Sequence, residues 1–206
     1  MNRNKLKGLG LALAALASTI VVASATAAEF TSSNHHFFIS GSPKAGTNHV
    51  FVHDSGFAIT CVNAIYLGTG TGTSLSSMTF GPTLIGCEDS IGRTVDASGG
   101  SYVLTANGTA HIEGTFQFEI TSKGSTVCTI TMSAQSGVNG FSYTNLGGTN
   151  GIEVTQNSTN VKSRLEPASL FLCGTAVTDA TNSTIQSTFI IKGEDTSGNP
   201  ISISKD

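Results

Sequence analysis

The sequence predicts an all-β protein, a single antiparallel β-sandwich-like domain with disulfides, and three observations carry that expectation. Apolar residues alternate with period two and nowhere recur at helical spacing. Turn signals punctuate the alternation at short intervals. Charged residues are only 11% of the chain, Trp is absent, and Ser, Thr and Gly together exceed a third of it. Disorder requires low hydrophobicity and high net charge, so this hydroxyl-rich, charge-poor composition describes an extracellular β-protein instead.

The first residues read as an export signal. Arg3, Lys5 and Lys7 precede an apolar run from Leu9 to Ala23, and the small-residue stretch SATAAEF follows. Cleavage after Ala25, Ala27 or Ala28 fits each rule, so residues 1–28 are assigned to a cleaved signal peptide and 29–206 to one domain. The competing reading is a retained anchor, because Gly8 to Ala28 carries no charge and is just long enough to span a bilayer. Alanine richness and the small-residue exit favour cleavage. The signal takes three of the ten basic residues and none of the thirteen acidic ones, which leaves seven against thirteen and a net charge of −6. Such a surface repels phosphate, so nucleic acid is excluded as a partner, and so is the membrane once the signal is gone.

Within the domain, TFQFEIT (115–121) alternates Phe116, Phe118 and Ile120 against Gln117, Glu119 and Thr121, the pattern of a half-buried strand. VCTITMS (127–133) repeats it with Cys128, Ile130 and Met132 inward. GIEVT, TNVKSRL, STFIIKG and PISIS supply later strands, and Phe51 and Phe189 also fall in alternating patterns that place them in the core. Turns are signalled at Asn107-Gly108, Lys123-Gly124, Asn139-Gly140, Asn150-Gly151 and Ser197-Gly198-Asn199-Pro200. LGTGTGTSLSS (67–77) reads as a flexible connection; its glycines lack the lysine and helix start of a phosphate loop.

Four cysteines in an exported chain suggest two disulfides, and four allow three connectivities. No two lie closer than 26 positions, which excludes the C-x-x-C spacing of zinc and redox motifs. Sequential pairing, Cys61 with Cys87 and Cys128 with Cys173, suits strands that meet near their neighbours. VCTITMSAQSGVNGFSYTN (127–145), FAITC (57–61), GPTLIGC (81–87) and LFLCG (170–174) together resemble a group of exported, cysteine-bearing β-proteins of high-GC, actinobacterial bacteria, to which no activity is assigned. That resemblance implies a bacterial extracytoplasmic setting and a β fold, and it supplies no catalytic residues. Many members carry a further cysteine pair where this chain has Ser101 and Gly114, so the resemblance implies one staple fewer here.

HHFFISGSPKAGTNHVFVH (35–53) holds four of the five histidines. A hairpin closed by GSPKAGT places His35 opposite His53, close enough to share a metal ion, and makes these two the metal-ligand candidates. The plainer alternative, histidines along a solvated or edge-strand face, carries more weight because two ligands are not a site. His49 and His53 are about 13 Å apart on one strand and cannot chelate together.

Other chemistry is weakly signalled. There is no G-x-S-x-G and no H-E-x-x-H. Glu88 and Asp89 face opposite ways if extended and read as turn residues. GEDTSGNP (193–200) is a charged turn, since it lacks the distal glutamate of a calcium loop. Sugar stacking wants exposed Trp or Tyr, and only Tyr66, Tyr102 and Tyr143 are present. Sequons stand at Asn107, Asn157 and Asn182 and mark exposed segments. By elimination the expectation is a non-enzymatic structural or interaction protein, secreted or on the bacterial cell surface, adhesin-like or a filament subunit. It has no cofactor, and it meets a protein or surface partner or its own copies. A small-molecule, glycan or metal binder is the alternative, followed by a secreted hydrolase.

Overall fold

A computed structural model describes residues 28–173 and 176–206, so the signal assigned to 1–28 lies, but for its last residue, outside the described residues. In chain order the strands are β1 (Phe30–Ser32), β2 (His36–Pro43), β3 (His49–Val52), β4 (Ala58–Thr71), β5 (Ser74–Leu75), β6 (Ser77–Asp89), β7 (Thr94–Ser98), β8 (Ser101–Thr105) and β9 (Ala110–Glu113). They continue as β10 (Phe116–Ser122), β11 (Ser125–Met132), β12 (Gln135–Val138), β13 (Phe141–Asn145), β14 (Ile152–Pro167), β15 (Thr178–Glu194), β16 (Pro200–Ile201) and β17 (Ile203–Lys205). The short helix α1 (Leu170–Cys173) and a 3₁₀ turn at Gly148–Asn150 are the helical elements among the described residues. The fold is all-β and every strand pairing is antiparallel.

Four long strands make one wall. β6 pairs with β4 from Thr79↔Thr69 to Asp89↔Ile59, and β14 pairs with β15 from Ile152↔Ile191 to Leu165↔Thr178. Between β4 and β15 run β2 and β3, end to end. Two shorter panels face this wall. At one end β7, β10 and β11 lie side by side, with β7 on β6 and β11 on β14. The ladder therefore closes on itself: β3, β4, β6, β7, β10, β11, β14 and β15 form a ring in which Ile185 faces Phe51, Phe51 faces Ile59 and Cys61 faces Cys87. Closure removes the unpaired edges that an open sandwich would leave at this end. At the other end β8, β9 and β12 extend from β6, and β13 lies on β14. A small sheet, β17-β1-β5, covers that end by ring contact of Phe30 with Tyr143, centroids 5.2 Å apart.

The alternation seen in the sequence fills the space between wall and panels. Phe51 stacks on Phe118 at 5.5 Å, while Tyr66, Phe80 and Phe189 pack together farther along, all aromatic contacts of the kind that stabilise a core beyond simple burial. The disulfides are the sequential ones, Cys61–Cys87 and Cys128–Cys173.

Two expectations are corrected. LGTGTGT is no flexible loop, because β4 continues to Thr71 with Gly70 facing inward. A Cβ on Gly70 would lie 2.1 Å from Cζ of Phe37, so the glycine is there to admit that ring. The second correction concerns residues 35–53, which do not form a hairpin. β2 and β3 run in the same direction as successive pieces of one stave, both held between β4 and β15. The turn-like sequence around Pro43 is an outward loop, fastened where Lys44 N and Thr47 Oγ1 donate to the carbonyl of Thr188.

Candidate functional site

The stave geometry separates the two proposed metal ligands. His36, next to His35, is opposite Thr71, whereas Val52, next to His53, is opposite Ala58. Those partners are thirteen residues apart on β4, about 43 Å along an extended strand. His35 and His53 do not share an ion. Among the described residues, no group of three or more His, Cys, Asp or Glu side chains is arranged to hold a metal.

The histidines also divide by environment. His35 and His36 are exposed, their rings in edge contact at 4.7 Å. His49 and His53 are buried, on the inward face that also carries Phe51, which overturns the expectation of a solvated face for these two. Burial holds the His49 imidazole at a pKa of about 4, so it is neutral at physiological pH. Its Nδ1 lies 3.3 Å from the Tyr66 hydroxyl. His53 is also pushed down by burial, against the backbone of Thr178 and the charge of Asp54. Its Nδ1 takes part in bonds with the Ser55 hydroxyl and backbone N–H, while Nε2 has no hydrogen-bond partner among the described residues.

Beyond Tyr66 a polar seam crosses the core. Ser187 Oγ donates to Gln156 Oε1 at 3.1 Å, and Gln156 Nε2 donates to Ser158 Oγ at 3.1 Å. Burial raises the Tyr66 phenol, with Tyr102 adding to the shift and the Ser187 hydroxyl opposing it. Tyr102 is likewise raised by burial, against the Gln156 side chain. This is a set of satisfied groups on paired strands, with Gln156 directly opposite Ser187. It contains a base and hydroxyls, and every member is buried.

Three surface clefts of about 310, 360 and 440 Å³ are shallow and contain no such seam. The first is lined by Lys162, Arg164 and Asp179, and Arg164 is already committed to Glu166 at 2.6 Å and Asp179 at 2.8 Å. Glu88 and Asp89 are the last two residues of β6, opposite Thr60 and Ile59, and not the turn residues expected; they do face opposite ways, Glu88 exposed and Asp89 buried. Asp89 accepts from the backbone of Ile91 and Arg93 and pairs with Arg93 Nε at 2.6 Å. The carboxylate shapes a turn. The three sequon asparagines are exposed.

The notable surface is apolar. Phe38, Val62, Ile65, Leu67 and Ile85 are between 41% and 64% exposed on the outer face of β2, β4 and β6. The register makes them neighbours: Leu67 lies between Ser40 and Gly81, Ile65 is opposite Thr83, Asn63 is opposite Ile85, and Phe38 is opposite Thr69. A row of apolar side chains therefore crosses three adjacent strands diagonally. A second apolar group, Leu170, Phe171, Leu172 and Val177, is exposed around α1 at the ring's end, where Arg93 donates to the carbonyl of Leu172 and Cys128–Cys173 ties the helix down. Alternation in AIYLG (64–68), where Ile65 and Leu67 are out of phase with Ala64 and Tyr66, carried a hint of the first surface, but not which strands are adjacent.

Comparison with family models, with curated proteins and with solved structures found no match. The two disulfides fit an oxidising, extracytoplasmic setting.

Proposed function

We propose that this chain is an exported, non-enzymatic structural or interaction protein of the bacterial cell surface or the space outside it, and that it works through the apolar outer face of β2, β4 and β6. The observation that carries this reading is that face: five large apolar side chains are exposed side by side on paired strands. A contiguous apolar patch on a rigid element is the usual mark of a protein contact. The groups with chemical potential, His49, Tyr66 and Tyr102, are enclosed in the core. The leader-like residues 1–28, the paired cysteines and the resemblance to exported actinobacterial proteins support the location.

Expression of residues 1–206 in a high-GC Gram-positive host, followed by fractionation and intact-mass analysis, tests the location. The expected result is oxidised protein lacking about 28 residues in the medium or on the envelope. A full-length, reduced, cytoplasmic pool overturns the reading.

A further inference from the structure

We infer that the occupant of the apolar outer face is a second copy of this chain, docked face to face about a two-fold axis. The inference rests on the reading of that face as the working surface and names its partner.

Charge is the first argument. Between Val62 and Thr71 the outward positions of β4 are Val62, Asn63, Ile65, Leu67, Thr69 and Thr71, and between Thr79 and Ile85 those of β6 are Thr79, Gly81, Thr83 and Ile85; none of them ionises. Ser40, Ser42 and Phe38 continue the uncharged field onto β2. Ionisable side chains stand at its margin: Lys192 opposite Ser40 and Glu194 opposite Phe38 on β15, exposed Glu88 opposite Thr60 at the end of β6, and exposed His36 opposite Thr71 at the start of β2. A strongly charged partner gains nothing from such a field, and specificity by charge requires complementary patches. A second copy brings the same neutral centre, and a margin that carries both signs is able to complement itself across a two-fold axis.

Area is the second argument. Three strands about 4.8 Å apart and ten residues at about 3.3 Å each make a face of roughly 14 by 33 Å, on the order of 460 Å² per copy. Two copies then bury about 900 Å², the size of a weak, reversible pair, which is why the dimer is concentration-dependent. Shape agrees with both arguments. Small residues, Ser40 and Gly81, flank Leu67 on either side, so the leucine stands proud of shallow hollows in which its counterpart fits. Two twisted sheets packed this way align at about 30°.

The test is sedimentation velocity on oxidised residues 29–206 over a dilution series, comparing the native sequence with Leu67→Glu, Ile65→Lys and Phe171→Ser. The native chain is expected to show a concentration-dependent dimer. Leu67→Glu and Ile65→Lys should each weaken it about tenfold or more, while Phe171→Ser, at the ring's end, leaves it intact. Amide exchange supplies a readout independent of substitution: protection of 62–71 and 79–85 should rise with protein concentration. A native chain monomeric at its highest soluble concentration overturns the inference, as does a dimer that survives both face substitutions or dissociates with Phe171→Ser. None of these failures touches the export reading, which the fractionation experiment tests separately.

Discussion

Cys61 and Cys87 stand directly opposite one another on β4 and β6, their Cα atoms 3.9 Å apart, and the inward-outward phase of both strands slips by one residue beside them. Ile59 and Cys61 face inward, then Val62 and Asn63 both face outward before Ala64 and Tyr66 resume. On β6, counting in twos from Phe80 turns Cys87 outward; Gly86, at φ +62°, supplies the extra step that brings it in.

Replacing Cys61 and Cys87 together by Ala removes a cross-link closing 26 residues of chain. On the chain-entropy account the loss is about 3.5 kcal/mol, and about 4 kcal/mol for Cys128 with Cys173. Denaturant unfolding without reductant measures both, and equal or negligible losses count against that account for this fold.

Gly86→Ala meets two obstacles. Its Cβ would fall 2.8 Å from Cγ2 of Val62, and the backbone is in the left-handed region. A loss of about 1–3 kcal/mol is expected, with the disulfide still formed. Thermal unfolding beside a free-thiol assay reads the two separately.

His49 makes stability depend on pH, and the sign follows from its shift. The folded pKa, about 4, lies below the unfolded value of 6.5, so acid protonates the unfolded chain first. The contribution is complete above pH 6.5 and is lost as pH falls towards 4; His53, also lowered, acts in the same direction. Unfolding free energy should drop by about 2 kcal/mol between pH 7.5 and 5, and His49→Gln should flatten much of that slope.

Ion pairs of this chain should differ sharply in worth. Asp89→Ala strips a buried carboxylate from Arg93 and from two backbone N–H groups, and about 3 kcal/mol of stability should go with it. Arg164→Ala, at a solvent-exposed pair, should leave the unfolding midpoint unchanged.

Much of the fold was legible because period-two alternation reports which side chains share a face. Phe116, Phe118, Ile130 and Met132 are all buried as their spacing implies, and Cys61 pairs with Cys87 because β4 and β6 are neighbours, whereas Cys128 reaches Cys173 on the helix α1. The same alternation already placed His49 and His53 in phase with Phe51, a residue assigned to the core; treating the imidazoles by chemical type hid that they share its burial. What alternation does not encode is strand order. Whether β2 and β3 fold back on each other or continue end to end depends on β4 and β15, distant in sequence, and so do the closure of the ring and the adjacency of Phe38, Leu67 and Ile85. The turn chemistry around Pro43 was real, but a local turn does not reverse a chain whose two sides are held by long partners.

The broken stave of β2 and β3 also sets the order in which the molecule can assemble. Its one flank is β4, near in sequence, but its other flank is β15, where Phe51 meets Ile185 and Ile39 meets Gly193. The staves can be shut only when the last quarter of the polypeptide has arrived, so the backbone groups on that side of residues 38–52 stay unsatisfied through synthesis. Such long-range registration is slow. A chain built this way keeps one flank of that stave open to solvent until β15 slots home.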